Sequence, residues 1–221
     1  MLHHVTPANR GLYTALLADM HAWRKRVFMD AAGWKLAERD GGEYDAYDDD
    51  RAHYFLQTDD ADGTLLGAVR MRTTEDRSMI GDHFTGAYAI RDRALADGTT
   101  WEITRGFRHP SLRGKPFSRQ GMAFIIAQME AARAEGMDRI VGYCDLKLVP
   151  WFMNVGYAFR LVGLPFAYDE GTGIAFEYAV DDAAITHMRD MWQIQEPILF
   201  DMPNAGLDAS LGLTTARQSF A

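Results

Sequence analysis

Apolar side chains recur at three- and four-residue intervals near the start of the chain, where Ala15, Leu16, Met20, Trp23 and Val27 share one stripe. That spacing predicts an amphipathic helix over about residues 8–28. Arg24, Lys25 and Arg26 fall near its end, where cations suit the negative pole of the helix dipole. The period then shortens. HYFLQT at 53–58 and TLLGAVRMR at 64–72, joined by DDADG, read as a hairpin. Alternation in its second strand places Leu65, Gly67, Val69 and Met71 on one face and Leu66, Ala68, Arg70 and Arg72 on the other. Between 75 and 98 the pattern is mixed: Met79, Ile80 and Phe84 predict a short helix or ordered loop, and AIRDRALA a helical turn.

TTWEITRGFRH is the next predicted strand. A Gly/Pro loop then leads into a helix capped at Ser118, whose buried stripe is Met122, Ile125, Ile126, Met129 and Ala132. RIVGYCD, YAFRLVG and GIAFEYAV read as strands, LKLVPWFMNVG as a short helix ending at Gly156, and DDAAITHMRDMWQI as a helix. The hairpin excludes a wholly parallel sheet, so the expected architecture is a mixed α/β sheet flanked by helices. One domain spanning 1–221 is expected, with a loosely packed tail from about residue 200, where periodicity fades.

Composition adds exclusions. With 48% hydrophobic and 24% charged residues the chain has an ordinary globular balance, and a net charge of −8 argues against nucleic acid as a partner. The single cysteine, Cys144, cannot form an internal disulfide, and no Cys/His metal spacing is present. The N-terminus lacks the pattern of a signal peptide and no apolar run approaches the ~18 residues of a membrane span, so a cytoplasmic protein without membrane insertion is expected.

Candidate chemistry gathers in RKRVFMDAAGWKLAERDGGEYDAYD, from Arg24 to Asp48. Arg24 and Phe28 are four apart and share a helix face, Trp34 follows a glycine that can end the helix, and Asp45 and Asp48 lie in a run too acidic for a core. A cation, two aromatics and paired carboxylates suit a small ligand bearing both charges. Arg70 leaves an otherwise apolar face and needs an anion. Glu102 and Arg105, three apart, point to opposite faces of a regular strand and converge only across a β-bulge, which Gly106 would permit. From Arg105 to Arg119 five cations and no acids precede the helix N-terminus, a natural place for phosphate or an acidic partner.

Arg24, Phe28, Trp34, Asp45, Asp48, Arg70, Phe84, Glu102 and Arg105, in this order and spacing, resemble the signature of the acyl-homoserine-lactone synthases, the LuxI-type autoinducer synthases of bacterial quorum sensing. The resemblance covers roughly the first half of the chain and implies a GNAT-like acyltransferase fold. It implies S-adenosylmethionine as acceptor substrate, no permanently bound cofactor, and acyl carrier protein or acyl-CoA as donor. The products would be an N-acyl-homoserine lactone and methylthioadenosine. Two departures stand out. The family's Arg-Leu-x-Pro-Thr is Arg70-Met71-Arg72-Thr73-Thr74 here, without the proline, and Gly106 follows Arg105 where an aromatic or aliphatic residue is usual.

On this resemblance Glu102 is the candidate base for the acceptor's α-ammonium group, the alternative being an ion pair with Arg105 or Arg70. Asp45 and Asp48 either balance ligand charge or hold Arg24 and Arg70, either of which could take the ligand carboxylate. Phe28 and Trp34 would enclose the acceptor, with a cation–π contribution of roughly 0.5–2 kcal/mol to a sulfonium, and Phe84 would be a pocket wall. Arg108, Arg113, Lys115 and Arg119 would receive the donor. Met122, Ile126, Val141, Cys144, Leu146, Trp151, Phe152 and Met153 would line the acyl pocket. Cys144 lies near where many relatives that accept 3-oxo chains carry Thr, and its weakly bonding thiol favours a product without that group. A different GNAT-like N-acyltransferase would share the basic loop but leave the Arg24–Asp48 pattern unexplained. A non-catalytic binder of carrier protein or nucleoside would have no turnover to lose on Glu102→Gln. Charge reversal at Arg113 and Lys115 is expected to raise the apparent KM for the acyl donor more than that for S-adenosylmethionine. Equal effects in steady-state kinetics would refute the docking assignment.

Overall fold

The structure, a computed structural model, describes residues 1–89, 94–112, 117–169 and 171–198. In chain order it runs β1 (Leu2–Val5), α1 (Thr14–Arg24), β2 (Glu38–Arg39), β3 (Gly42–Glu43), β4 (His53–Thr58), β5 (Leu65–Thr73), α2 (Met79–His83) and β6 (Thr100–Arg108). It continues with α3 (Arg119–Ala134), β7 (Arg139–Asp145), α4 (Val149–Met153), β8 (Arg160–Leu161), β9 (Phe166–Tyr168), β10 (Gly171–Ala179) and α5 (Asp182–Trp192). Eight strands form one sheet in the order β1-β4-β5-β6-β7-β10-β8, with β9 also on β10, while β2 and β3 form a separate small hairpin. The sheet is mixed, as the hairpin required: β6 and β7 are parallel, joined by the α3 crossover, and their neighbours pair antiparallel.

Alternation sorts the side chains onto two faces. Phe55, Val69, Met71, Trp101, Ile140 and Phe176 form a core with Met122, Ile126 and Met129 of α3 and Met188 of α5. On the other face Tyr54, Leu56, Ala68 and Phe107 pack with Met20 of α1 and with Phe28. Leu65 departs from the expected phase. Gln57 pairs with Gly67 but Thr58 with Leu65, and this irregularity puts Leu65 in the cluster of Ala68 rather than that of Val69.

Three further differences concern local structure. The first helix begins as a 3-10 turn, Arg10–Tyr13, and ends as a π-helical segment, Lys25–Ala31, beyond the expected stop. β1 and β9, strands of only four and three residues, are not expected from the sequence pattern, and YAFRLVG yields only the two residues of β8. Ser118 caps α3 as expected, its Oγ accepting from the Gly121 N–H at 3.1 Å. Half of the turn expected in AIRDRALA, residues 90–93, and the tail lie outside the described residues. Among the described residues no helix is long and apolar enough to cross a membrane.

What matters for the site is that the parallel pairing is short. It runs from Thr100↔Arg139 to Ile103↔Gly142, after which β6 continues to Arg108 paired with β5 alone and β7 continues to Asp145 paired with β10 alone. The loop carrying Phe84 is tied down beside this gap: the Ala89 N–H donates to the Val162 carbonyl at 2.8 Å. A Cβ on Gly163 would run into the Ala87 carbonyl oxygen. Because backbone on both sides must shift to admit it, Gly163→Ala is expected to lower the unfolding free energy by roughly 1–3 kcal/mol. Urea denaturation of the two proteins measures this.

Candidate active site

The π-helical segment sets the first side chains. Its wider turn, closed by the Ala32 N–H donating to the Val27 carbonyl at 3.1 Å, directs Phe28 inward, and Gly33 (φ 76°) ends it. The Trp34 N–H then reaches back to the Phe28 carbonyl at 2.8 Å, and the two rings stack with centroids 5.1 Å apart. Trp34 meets Tyr168 of β9 edge-on at 6.3 Å. Tyr168 in turn meets Phe84 edge-on at 6.1 Å, and Phe84 lies flat on Tyr143 of β7 at 4.1 Å. The three sequence-predicted aromatics therefore belong to one arc, which Tyr143 and Tyr168 complete.

Beside the arc is a buried charge cluster. Arg24 donates from Nε to Glu43 at 2.6 Å and from Nη1 and Nη2 to Asp48 at 2.7 and 2.9 Å. Arg70 donates from Nη2 to Asp45 at 3.0 Å and from Nε to the Thr104 hydroxyl at 3.0 Å, and its Nη1 lies 2.8 Å from Asp48. Arg105 donates to Glu43 at 3.1–3.2 Å and pairs with Asp45 at 3.0 Å. Three cations thus face three carboxylates, and the Tyr54 hydroxyl donates to Asp48 at 2.9 Å. Burial alone would raise the Asp45 and Asp48 carboxyls, but the guanidinium groups outweigh it. Arg70 and Arg24 hold Asp48 well below the usual carboxylate range, and Arg70 and Arg105 lower Asp45.

Arg105 joins this cluster through the bulge its position demanded. Phe107 pairs with Ala68 and Thr104 with Arg70, so Arg105 and Gly106 together stand opposite Val69. Arg105 takes a left-handed backbone, φ 55°, which costs a non-glycine residue roughly 1–3 kcal/mol. Its ion pairs hold it there. Glu102 shares this face, opposite Arg72, but bonds neither Arg70 nor Arg105 in the manner considered from the sequence. Its carboxylate accepts from the Met79 and Ile80 N–H groups at 2.6 and 2.7 Å, at the start of α2. Burial pushes Glu102 up to about 7, against those two N–H groups and Arg70, which favour the anion.

Several expectations need correction. Arg24 has no exposed surface and each of its three nitrogens is engaged by Glu43 or Asp48, so in this structure it faces the cluster's own carboxylates and not an open space for a ligand carboxylate. Glu43, fully buried between Arg24 and Arg105, is a central member that sequence reasoning did not single out. Its one signal is a place in the acidic run before Asp45. The acyl-pocket residues divide: Met122, Ile126, Cys144, Trp151 and Phe152 share the α3 face, but Val141, the register partner of Glu102, lies on the opposite one. Leu146 and Met153 point outward, 41% and 66% exposed. Among the described residues the basic run does not form one surface. Arg105 enters the cluster, Arg108 is half-buried beside the Ser118 hydroxyl (3.5 Å), and Arg119 pairs with Glu196 at 2.6 Å. Arg113 and Lys115 lie outside the described residues.

A family model described as autoinducer synthase matches residues 9–188. The chain belongs to the autoinducer synthase family. It is therefore an acyltransferase, and its fold is the one the resemblance implied. Isovaleryl-homoserine lactone synthase of Bradyrhizobium diazoefficiens is 25% identical over 210 residues, covering 95% of this chain and 92% of that protein. An acyl-homoserine-lactone synthase of Rhizobium etli is 29% identical over 140 residues, which are 63% of this chain and 66% of the relative, just under two thirds of its length. Among solved structures, a CoA-dependent acyl-homoserine lactone synthase, BjaI, with SAM and isopentyl-CoA superposes with a TM-score of 0.81 at 23% identity, covering 91% of this chain and 93% of that one. An N-acetyltransferase from Lactobacillus plantarum superposes at 0.56 with 14% identity, covering 81% and 99%, and marks the GNAT-like relationship of the fold.

The cluster makes a quantitative demand. Glu43→Gln leaves Arg24 and Arg105 short of a buried counter-charge and is expected to cost about 3–5 kcal/mol of unfolding free energy. The depressed Asp48 adds a pH signature. A lowered folded-state value contributes stability above the ordinary aspartate value of 3.8, and that contribution is lost as pH falls through the folded value. Denaturant titrations of the two proteins at pH 7 measure the first effect, and a series from pH 5 down to pH 2 follows the second.

Proposed function

We propose that the synthase joins the α-amine of S-adenosylmethionine to an acyl group delivered as a thioester, and closes the homoserine lactone with release of methylthioadenosine. The observation that carries this reading is the convergence of Glu102, Thr104, Arg105 and Arg70 on one face beside the gap between β6 and β7. The acceptor belongs on that face, between the aromatic arc and the charge cluster. Asp45 is the carboxylate of the cluster with the most exposed side chain, 16% against 5% for Asp48 and 0% for Glu43, and it offers a negative edge to an ammonium or sulfonium group. Phe28, whose ring lies 5.8 Å from the Arg105 guanidinium, and Trp34 stacked on it would border the same space.

Glu102 is the base. An ammonium nitrogen has no free electron pair, so a proton must leave before the amine attacks, and a carboxyl raised to about 7 is matched to that transfer near neutral pH. Transfer through one water keeps the two N–H bonds of the carboxylate intact. The amine nitrogen then bonds to the thioester carbon, the carbonyl oxygen takes the negative charge, and the C–S bond breaks as the thiol leaves with a proton. N–H groups of β6 beyond Ile103, no longer paired with β7, suit the oxyanion. For the lactone, the acceptor carboxylate displaces methylthioadenosine from the carbon bonded to the sulfonium.

The donor's pantetheine arm would pass through the gap, with its acyl chain on the α3 face among Met122, Ile126, Trp151 and Phe152. Two similar structures described as CoA-dependent synthases, covering 91% and 90% of this chain, support acyl-CoA over acyl carrier protein as donor. Liberation of CoA thiol on mixing the protein with S-adenosylmethionine and isovaleryl-CoA tests this directly. Turnover only with acyl carrier protein would reverse the donor assignment.

Because the base must be deprotonated, kcat/KM is expected to rise with pH and level off above about 7. Glu102→Gln is expected to lower kcat by about 100-fold or more while leaving S-adenosylmethionine affinity nearly unchanged. Unaltered turnover by this variant would remove Glu102 from the chemistry.

A further inference from the structure

Strand register sets Arg72 of β5 directly opposite Glu102 of β6, on the same face of the sheet. Opposite charges in this relation ordinarily pair. Among the described residues no ion pair joins these two. The Arg72 guanidinium is engaged elsewhere: Nε donates to Asp49 at 3.1 and 3.2 Å, and Nη2 to Asp49 at 2.9 Å and Asp76 at 2.8 Å. Nη1 donates to Asp76 at 2.8 Å and to the Thr73 and Arg77 carbonyls, each at 3.0 Å. Every donor of a buried guanidinium is thereby spent within one clamp.

The clamp has two consequences for Glu102. It withholds the cation directly opposite in register, so Glu102 is held by neutral N–H groups. It also fixes the Arg77 carbonyl, two residues before the Met79 N–H and three before that of Ile80, which are those groups. Asp49 adjoins Asp48, so the same clamp links this backbone to the segment that holds Arg24 and Arg70.

We propose that Asp49 and Asp76 are positioning residues for the reaction. By engaging Arg72 they keep a guanidinium from pairing with Glu102, and through Arg72 they fix the backbone that cradles it. The catalytic meaning rests on Glu102 acting as the base. The structural claim does not.

The charges around Glu102 come from several elements. Arg70 acts on it from β5, where Arg72 stands opposite in register but is turned to Asp49 and Asp76; Arg105 of β6 lies beyond Met79, with Nη1 3.6 Å from the Met79 sulfur, and Asp82 comes from α2, where it accepts from the Tyr47 hydroxyl at 2.7 Å. The β7 partner, Val141, is uncharged. Arg70 favours the anion and Asp82 the acid. Replacing Asp49 and Asp76 with Asn leaves Glu102 as the carboxylate directly opposite Arg72 in register, and a new ion pair lowers a carboxyl by about 1–3 units.

The ionisation of Glu102 can be followed without turnover, by its protonated-carboxyl infrared band, assigned as the one lost in Glu102→Gln. In the full-length protein the midpoint is expected near 7, falling by about one unit or more in Asp49→Asn/Asp76→Asn. The acid limb of kcat/KM should move with it. Adding Arg72→Met to that pair should return the midpoint towards its starting value, because the freed cation is gone. The Asp49 and Asp76 side chains are 34% and 41% exposed, so their replacement leaves the core intact. An unchanged midpoint in the double variant, or a lowered one that persists without Arg72, overturns the proposal. Full turnover by Glu102→Gln would instead defeat the base assignment while the midpoints still decide the clamp.

Discussion

A guanidinium cannot be buried without a counter-charge, and three of them are buried here side by side. Taking each ion out of water costs several kcal/mol, which only close, multiply bonded partners offset. Arg24 comes from α1, Arg70 from β5 and Arg105 from β6, while Glu43 comes from β3 and Asp45 and Asp48 from the loop after it. Each carboxylate touches at least two of the arginines. Removing one charge unbalances elements far apart in sequence, so the cluster fixes where α1, the acidic loop and the two central strands lie relative to one another.

The strain at Arg105 follows from the same requirement. A regular β6 would turn this side chain to the α3 face, among apolar groups with no carboxylate. The bulge costs backbone energy, and the bonds to Glu43 and Asp45 compensate for it. One strand thereby supplies Glu102, Thr104 and Arg105 to a single face, which strict alternation forbids for the outer two. Thr104 does its part by accepting from Arg70, locking the arginine that faces both aspartates.

Much of this was legible in the sequence wherever a residue contradicted its surroundings. Arg70 on an apolar strand face required an anion, and Glu102 with Arg105 required an irregular strand, and both requirements were met. Glu43 was not legible, because five acids lie between 43 and 50 and nothing in their order says which is enclosed. The acyl pocket mixed both faces of β7, since a list of apolar residues ignores that Val141 and Cys144 are of opposite phase. Arg119 looked like part of a basic surface until the chain after α5 brought Glu196 to it. β1 escaped notice because His3 and His4, buried in the sheet, read as polar in isolation.

The parting of β6 and β7 has a consequence of its own. The charged face and the α3 face are separated by a sheet, and they meet where two parallel strands stop pairing after Ile103 and Gly142. Anything that reaches from one face to the other must narrow to a thread at that crossing. On the function proposed above, substitutions on α3 and α4 would reshape the tail of a product without touching the ions around its head. A family built on this plan can vary its chemical vocabulary one end at a time.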